Sequence, residues 1–360
     1  MIPGPVESKD QILSSMSNRV LAHTEKQFIN YYQQSLQNLR HIFAVSDQYS
    51  PVVVAGGGTL AMEIAMTNLI DQSEDQTALI CETGYFGDRF AALASAMGIT
   101  YRTISSEVGS ELEASELEQA LQDVDFAFIQ HVDTSTGVVN DIQSFGKLCK
   151  DNDVISVVDG VCALGGEEMY QEQWDIDIYL TGAQKALAIP PGLAILMYSP
   201  RARELSEHRK EPLPSYYANL QNWWPVMDAY LDGNVKYFST PPTNLIAALS
   251  GSTSLLLDEG MDHVFNRHTR LASKFRDSLT DMGFSFLTDT NSRAVTMSTP
   301  LYPADVDGSE FRKTMLEHGV LVAGGIQKGK ADQYFRVGHM GFISDHEIDF
   351  TIDAIAASIK

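Results

Sequence analysis

Between residues 52 and 198, short apolar runs bounded by Gly, Asp or Pro alternate with amphipathic stretches. The runs are rich in β-branched residues and almost continuous in hydrophobicity, the pattern of strands buried on both faces. The predicted strands are Val52–Ala55, Thr77–Cys81, Asp125–Gln130, Val154–Val158, Ile178–Thr181 and Leu193–Tyr198. Between several of them the spacing predicts helices over Leu60–Ile70, Asp88–Met97 and Glu113–Gln122, with Gly98 as the C-cap of the second. Strands alternating with helices imply an α/β fold: a mostly parallel sheet covered by helices on both faces.

After about residue 240 the pattern changes. Pro241-Pro242 interrupts the chain, and helical periodicity then runs from Asn244 to about Met282, broken near Gly260. Short predicted strands follow (Ser285–Leu287, Ala294–Ser298, Val320–Ala323, Tyr334–Val337), with helices over Ser309–His318 and Asp345–Ile359. This reads as a smaller α+β domain. The expected division is a large domain over 15–243 and a small one over 244–360, in keeping with a chain of 360 residues. Neither repeats nor low-complexity tracts occur.

Charge narrows the partners. With 47 acidic against 25 basic residues the formal net charge is -22, which argues against nucleic acid and anionic membrane as partners. An anionic ligand would need a local cationic site within this acidic field. The cysteines Cys81, Cys149 and Cys162 form no CxxC pair, so neither a disulfide framework nor a metal site is expected, and buried thiols are the favoured reading. The opening Met-Ile-Pro-Gly-Pro does not have a signal-peptide pattern, and no apolar stretch approaches the ~20 residues of a membrane span. The expected location is the cytoplasm.

Four segments carry candidate chemistry. Gly56-Gly57-Gly58-Thr59 follows a strand and opens a helix, where small residues let the backbone approach an anion at free N–H groups. A plain βα turn reads the same way, and no Gly-Lys-Ser/Thr follows to make it a Walker loop. Asp159 ends the strand Val157-Val158-Asp159, outside which ligands bind in open α/β sheets. An acid there either keeps a pyridinium nitrogen protonated or caps a turn. Lys185, in Thr181-Gly182-Ala183-Gln184-Lys185-Ala186, lies in an almost uncharged stretch from Ile178 to Tyr198. Desolvation there would depress its pKa and favour Schiff-base chemistry; the alternative is a lysine snorkelling to the surface. The rigid Pro190-Pro191-Gly192 turn argues for a positioned lysine. Arg336, within Tyr334-Phe335-Arg336-Val337-Gly338, suits capture of a carboxylate or a structural ion pair.

Taken together, the order and spacing of these segments resemble the class-V aminotransferases that use pyridoxal 5′-phosphate (PLP), in particular the alanine–glyoxylate and serine–pyruvate group. The resemblance runs from Ile2-Pro3-Gly4-Pro5 through His131–Val138, Asp159, Lys185 and Pro190–Gly192 to Phe335–Gly341. It implies PLP fold type I, with a large domain on a seven-stranded-type sheet and residues 1–14 at the active site. It also implies the roles. Lys185 is the Schiff-base lysine and acid–base group, and Asp159 pairs with the pyridine nitrogen. Gly57, Gly58 and Thr59 hold the phosphate with Gln184. Phe86 stacks on the ring, and Thr134 lies near the phenolic oxygen. Gly4 and Arg336 bind substrate. Tyr237 and Thr240 match residues that relatives donate to the neighbouring subunit's phosphate, so a homodimer with shared sites is implied. The implied reaction is ping-pong transfer from a small L-amino acid, alanine or serine, to a 2-oxo acid, glyoxylate or pyruvate.

Two positions depart from the family pattern: Gly-Gly-Gly-Thr replaces a Ser-Gly-Thr-like phosphate turn, and Ala183 replaces a serine. Other readings weigh less. A cysteine desulfurase needs a mobile nucleophilic cysteine, and only Cys162 lies near Asp159. A phosphonate donor needs extra cations, for which His23 and Arg89 are the candidates; aspartate and ureidoglycine are further donors within the family. A dehydrogenase would need the Gly-x-Gly-x-x-Gly fingerprint, which Gly56–Thr59 does not meet. A non-catalytic PLP-binding protein would not need Lys185, Asp159 and Arg336 together.

Overall fold

The computed structural model describes residues 1–213 and 215–359. Its centre is a seven-stranded sheet built from β1 (Ser50–Ala55), β2 (Ala78–Glu82), β3 (Tyr101–Ser105), β4 (Phe126–Gln130), β5 (Ile155–Asp159), β6 (Ile178–Gly182) and β7 (Leu193–Tyr198). The strand order is β1-β7-β6-β5-β4-β2-β3. β2 to β6 run parallel, and β7 lies antiparallel to both of its neighbours. Every residue of β4, β5, β6 and β7 is buried, which is why these segments read as unbroken apolar runs.

β3 has no counterpart among the predicted strands. It is the edge strand, its residues Tyr101-Arg102-Thr103-Ile104-Ser105 are largely exposed, and polar side chains there give no apolar run to read. The helices Gly58–Leu69, Tyr85–Met97 and Ala114–Ala120 lie where helical spacing predicts them, and Gly98 closes the second at φ 72°. The helix Lys26–Ile42 was not among the predicted elements; its Phe28, Tyr32, Leu36 and Leu39 form one buried face.

The predicted long helical region is two helices, Thr243–Glu259 and Met261–Asp281, meeting at Gly260 with φ 86°. The first of them buries Ile246, Leu249 and Leu256 in the core of the large domain. The expected boundary at 244 therefore precedes a helix that packs with the large domain. The separate small core starts at Leu271 and gathers Phe275, Phe284, Phe311, Val337 and Ile355. Its sheet has three short strands in the order β8-β10-β9: β8 (Met297–Ser298), β9 (Ala323–Gly324) and β10 (Phe335–Gly338). The predicted strand Ser285–Leu287 is not formed; Phe286 makes one isolated bridge to Pro300. Val320–Val322 precede β9 rather than forming it. The helices Gly308–Glu317 and Asp345–Ser358 close the domain, the latter entered by a Ser344–Glu347 capping box.

No helix among the described residues is long and apolar enough to cross a membrane.

Candidate active site

Segments that follow the C-terminal ends of β4 and β6 meet at a cavity of about 450 Å³ lined by Lys185, Arg336, Arg89, Phe86, Thr134 and the Ile2-Pro3-Gly4 segment, among others; Asp159, Gly57, Gly58, Thr59 and Gln184 are not among its lining residues. Its location outside the carboxyl ends of parallel strands is where an open α/β sheet leaves a crevice.

Lys185 follows β6 and is 8% exposed. Its Nζ donates to the Pro3 carbonyl. Burial pushes the amine below its ordinary pKa, with Arg336 and Arg89 adding to the fall while Cys162 and Asp159 oppose it. The N-terminal segment is threaded past this lysine: Val6 N–H donates to the Gln184 carbonyl at 3.0 Å, and Gly338 N–H donates to the Met1 carbonyl at 2.9 Å. Gly4 lies against the lysine stem, where a Cβ would stand 2.5 Å from Lys185 Cδ.

Asp159 ends β5, is 4% exposed, and accepts a hydrogen bond from Val161 N–H at 2.8 Å. Burial raises its pKa to about 6; Asp133 adds to the rise, while the Val161 N–H, Arg89 and Lys185 favour the carboxylate. The Asp159 carboxylate thus becomes available above about pH 6.

Gly57 is the N-cap of the helix Gly58–Leu69, and a Cβ built on it would meet nothing within 4 Å, so the turn is open on that side. A Cβ on Gly182 would stand 3.0 Å from Gln184 Oε1 and 3.2 Å from the Gly58 nitrogen, so the carboxamide and the helix N-terminus share one small space. Gln184 Oε1 is buried without a hydrogen-bond partner. A buried amide beside free helix N–H groups fits an anionic group such as a phosphate, whose oxygens would accept from both once the amide presents its NH₂ side. Together with a desolvated lysine and a strand-end carboxylate, these residues fit PLP.

Phe86 opens the helix Tyr85–Met97, with its backbone N–H donating to Asp133 Oδ2 at 2.9 Å. Asp133 also accepts from Ser135 N–H at 2.8 Å, and burial raises its pKa. It positions the aromatic through the backbone, a role the sequence reading did not assign. The signal was present in the His131–Val138 segment, where an acid lies among apolar and hydroxyl residues. Thr134 lines the cavity, and its carbonyl accepts from Arg336 Nη1 at 3.2 Å.

Arg336 lies on β10, and its Nε donates to the Gly324 carbonyl at 2.8 Å. Among the described residues it forms no ion pair with a carboxylate, so the structural ion-pair alternative does not hold. Two carbonyl oxygens orient the guanidinium, and no carboxylate among the described residues lies within ion-pair distance of it. Tyr334, immediately before this strand, ties it to the large domain: its hydroxyl donates to the Ser135 carbonyl at 2.6 Å and accepts from Gln327 N–H at 3.0 Å.

Tyr237 and Thr240 are not brought to this cavity. Both are exposed, and the Tyr237 hydroxyl is 3.4 Å from Thr240 Oγ1. His23 packs on the Tyr237 ring, 5.1 Å between centroids, away from the lining residues. Arg89 is among the lining residues. All three cysteines are buried and unpaired; burial raises the Cys162 thiol pKa, the reverse of what a nucleophilic cysteine needs.

The profile of the family described as aminotransferase class-V matches residues 7–339. The chain is 32% identical over 356 residues to alanine–glyoxylate aminotransferase 1 of Saccharomyces cerevisiae, covering 95% of this chain and 91% of the relative. It is 31% identical over 364 residues to an uncharacterized aminotransferase of Methanocaldococcus jannaschii, covering 100% of this chain and 92% of the relative. A crystal structure of alanine–glyoxylate aminotransferase from Nostoc sp. matches with a TM-score of 0.94 at 28% identity, over 100% of this chain and 94% of that one.

Proposed function

The chain belongs to the class-V aminotransferases, PLP-dependent transaminases of fold type I, and from that premise we propose that it transfers the amino group of L-alanine or L-serine to glyoxylate or pyruvate. The observation that carries this reading is the pairing, in one cavity, of a desolvated Lys185 amine with an Arg336 guanidinium that has no carboxylate partner. A proton-moving group and a carboxylate anchor are what a small α-amino acid requires. The lining offers Ile2, Pro3, Ala323 and Ile326 around them, which suits a short side chain.

When bound, PLP supplies the electrophilic carbon and the electron sink for the α-carbon. Lys185 would hold its carbonyl carbon and Asp159 its ring nitrogen. Phe86 would lie on the ring face, Thr134 near the phenolic oxygen, and Gly57, Gly58, Thr59 and Gln184 around the phosphate. Arg336 binds the substrate α-carboxylate and so fixes which α-substituent faces Lys185. The Lys185 amine, its pKa lowered by burial, takes the α-proton and holds it for return as a general acid–base group. Gly4 and Pro3 close the cavity over the lysine and limit water. The amino donor leaves as a 2-oxo acid before the acceptor enters, which gives ping-pong kinetics.

The active unit is a homodimer in which Tyr237 and Thr240 of each copy reach the phosphate site of the other. Their exposure in the single chain supports this placement. The large domain takes in the helix Thr243–Glu259, the small domain has its own core from Leu271 onward, and residues 1–14 serve the site. Initial rates for L-alanine, L-serine and L-aspartate against glyoxylate and pyruvate test the substrate pair. Alanine or serine with glyoxylate is expected to lead; preference for aspartate would replace the proposed donor.

A further inference from the structure

We propose that Arg89 is a phosphate-binding residue of the cofactor site, its guanidinium supplying the contact that the Gly56-Gly57-Gly58 turn lacks for want of a hydroxyl. This rests on the reading of the cavity as the PLP site.

Arg89 lies one helical turn after Phe86 on the helix Tyr85–Met97, so both side chains emerge on the same face. The guanidinium carbon stands 4.6 Å from the Phe86 ring centroid and 5.6 Å from that of Tyr85. Contact with two rings that stand at 83° to one another limits where the guanidinium can go. Nη1 donates to Thr59 Oγ1 at 3.0 Å, which holds the guanidinium beside the N-terminus of the helix Gly58–Leu69. The remaining guanidinium donors have no protein acceptor among the described residues, and no carboxylate lies within ion-pair distance. In a chain of net charge -22, a guanidinium left without a carboxylate in a cavity is a group awaiting an anion.

The cavity therefore has two such cations, anchored to different domains. Arg336 is anchored to Gly324 and Thr134 carbonyls on the small-domain side. Arg89 is anchored to Thr59 on the large-domain side. Two anchored guanidiniums suit two separate anions, a substrate carboxylate and a cofactor phosphate. Thr59 decides which belongs to Arg89, because it is the hydroxyl residue of the glycine turn where the helix N–H groups and the Gln184 amide converge.

The test compares binding of PLP and of pyridoxal, which lacks the phosphate, to the cofactor-free full chain carrying Arg89, Arg89→Lys or Arg89→Met. Spectroscopic titration gives each dissociation constant, and circular dichroism with thermal melting confirms folding. The expected result is a PLP dissociation constant raised at least tenfold in Arg89→Met and less in Arg89→Lys. Pyridoxal should bind all three equally, and inorganic phosphate should compete with PLP more weakly against Arg89→Met. Equal losses for PLP and pyridoxal would overturn the proposal, because Arg89 would then act through the Phe86 ring. Unchanged PLP binding with a raised KM for dicarboxylate donors would overturn it in favour of a substrate role. Failure of the unaltered chain to bind either probe would instead remove the cofactor reading itself.

Discussion

Gly4 and Lys185 are packed so closely that a Cβ on residue 4 would stand 2.8 Å from Lys185 Cε and 3.0 Å from its Nζ. Gly4 also has φ +97°, outside the range that side-chain-bearing residues favour. Gly4→Ala therefore combines two costs. The backbone strain lowers stability by roughly 1–2 kcal/mol. The methyl group displaces either the lysine or the segment that covers it, and turnover should fall at least about tenfold, ~1.4 kcal/mol in the barrier. Thermal melting and steady-state kinetics separate the two effects. Undiminished turnover would mean that the segment does not position the lysine.

Arg336 presents its charge to the cavity while Gly324 and Thr134 carbonyls hold its position. Arg336→Ala should reduce kcat/KM for the amino donor by about 2–5 kcal/mol, a factor of roughly 30 to 5,000. PLP retention should not change, because none of the phosphate-side residues touches Arg336. Amine donors without a carboxylate should lose little. Equal losses for both donor types would point to a general structural role.

Much of this site was legible in the sequence because its residues sit at ends of buried strands. Asp159 and Lys185 stand out where β5 and β6 stop being apolar, and Arg336 is the one charge in β10. The polar edge strand β3 was not legible, since it has no apolar run to mark it, and the small-domain strands β8 and β9 were legible only as longer segments than the two residues that pair in each. Asp133 and Tyr334 act through backbone groups distant in sequence, from Asp133 to Phe86 and from Tyr334 to Ser135. No local pattern encodes such contacts. In the sequence Arg89 is legible only as a cation; its place in the cavity follows from Phe86 and Thr59 being neighbours in space.

Glu167 links the large domain to the small one, accepting from Thr296 N–H at 2.9 Å and from Thr296 Oγ1 at 3.1 Å through a single carboxylate oxygen. Burial raises its pKa from 4.5 to about 7, against the pull of the Thr296 donors and Arg276. The folded state thus holds this proton more tightly than the unfolded chain does. The resulting stability is fully present below about pH 4.5 and is lost as the pH rises through about 7. Glu167→Gln keeps the accepting oxygen and removes the titration. The stability difference between variant and parent should shift in the variant's favour across that window, on the order of 3 kcal/mol. Urea unfolding at several pH values measures it; a constant difference would show that Glu167 does not titrate there.

Tyr237 and Thr240 are exposed and lie outside the cavity of their own chain. If they complete a second copy's site, two inactive chains should complement each other. A Lys185→Ala chain mixed with a Tyr237→Phe/Thr240→Val chain, after partial unfolding and reassociation, should form heterodimers with one intact site each. About a quarter of parental activity is the ceiling expected for random pairing, since half the dimers would be mixed and each would have one working site of two. Mixtures no more active than the separate chains would confine each site to one subunit.

Lys185 moves the proton in a transamination begun by a small amino acid, and one experiment isolates that step. The most direct measurement is a single half-reaction: the PLP-loaded protein is mixed with L-alanine in the absence of any 2-oxo acid, while the cofactor spectrum and released pyruvate are followed. The expected result is conversion of the cofactor to its pyridoxamine form with one pyruvate per site, and no conversion in Lys185→Ala over the time in which the parent converts fully. Conversion at the parental rate in Lys185→Ala, or no conversion of the parent with alanine, serine or aspartate, would contradict it.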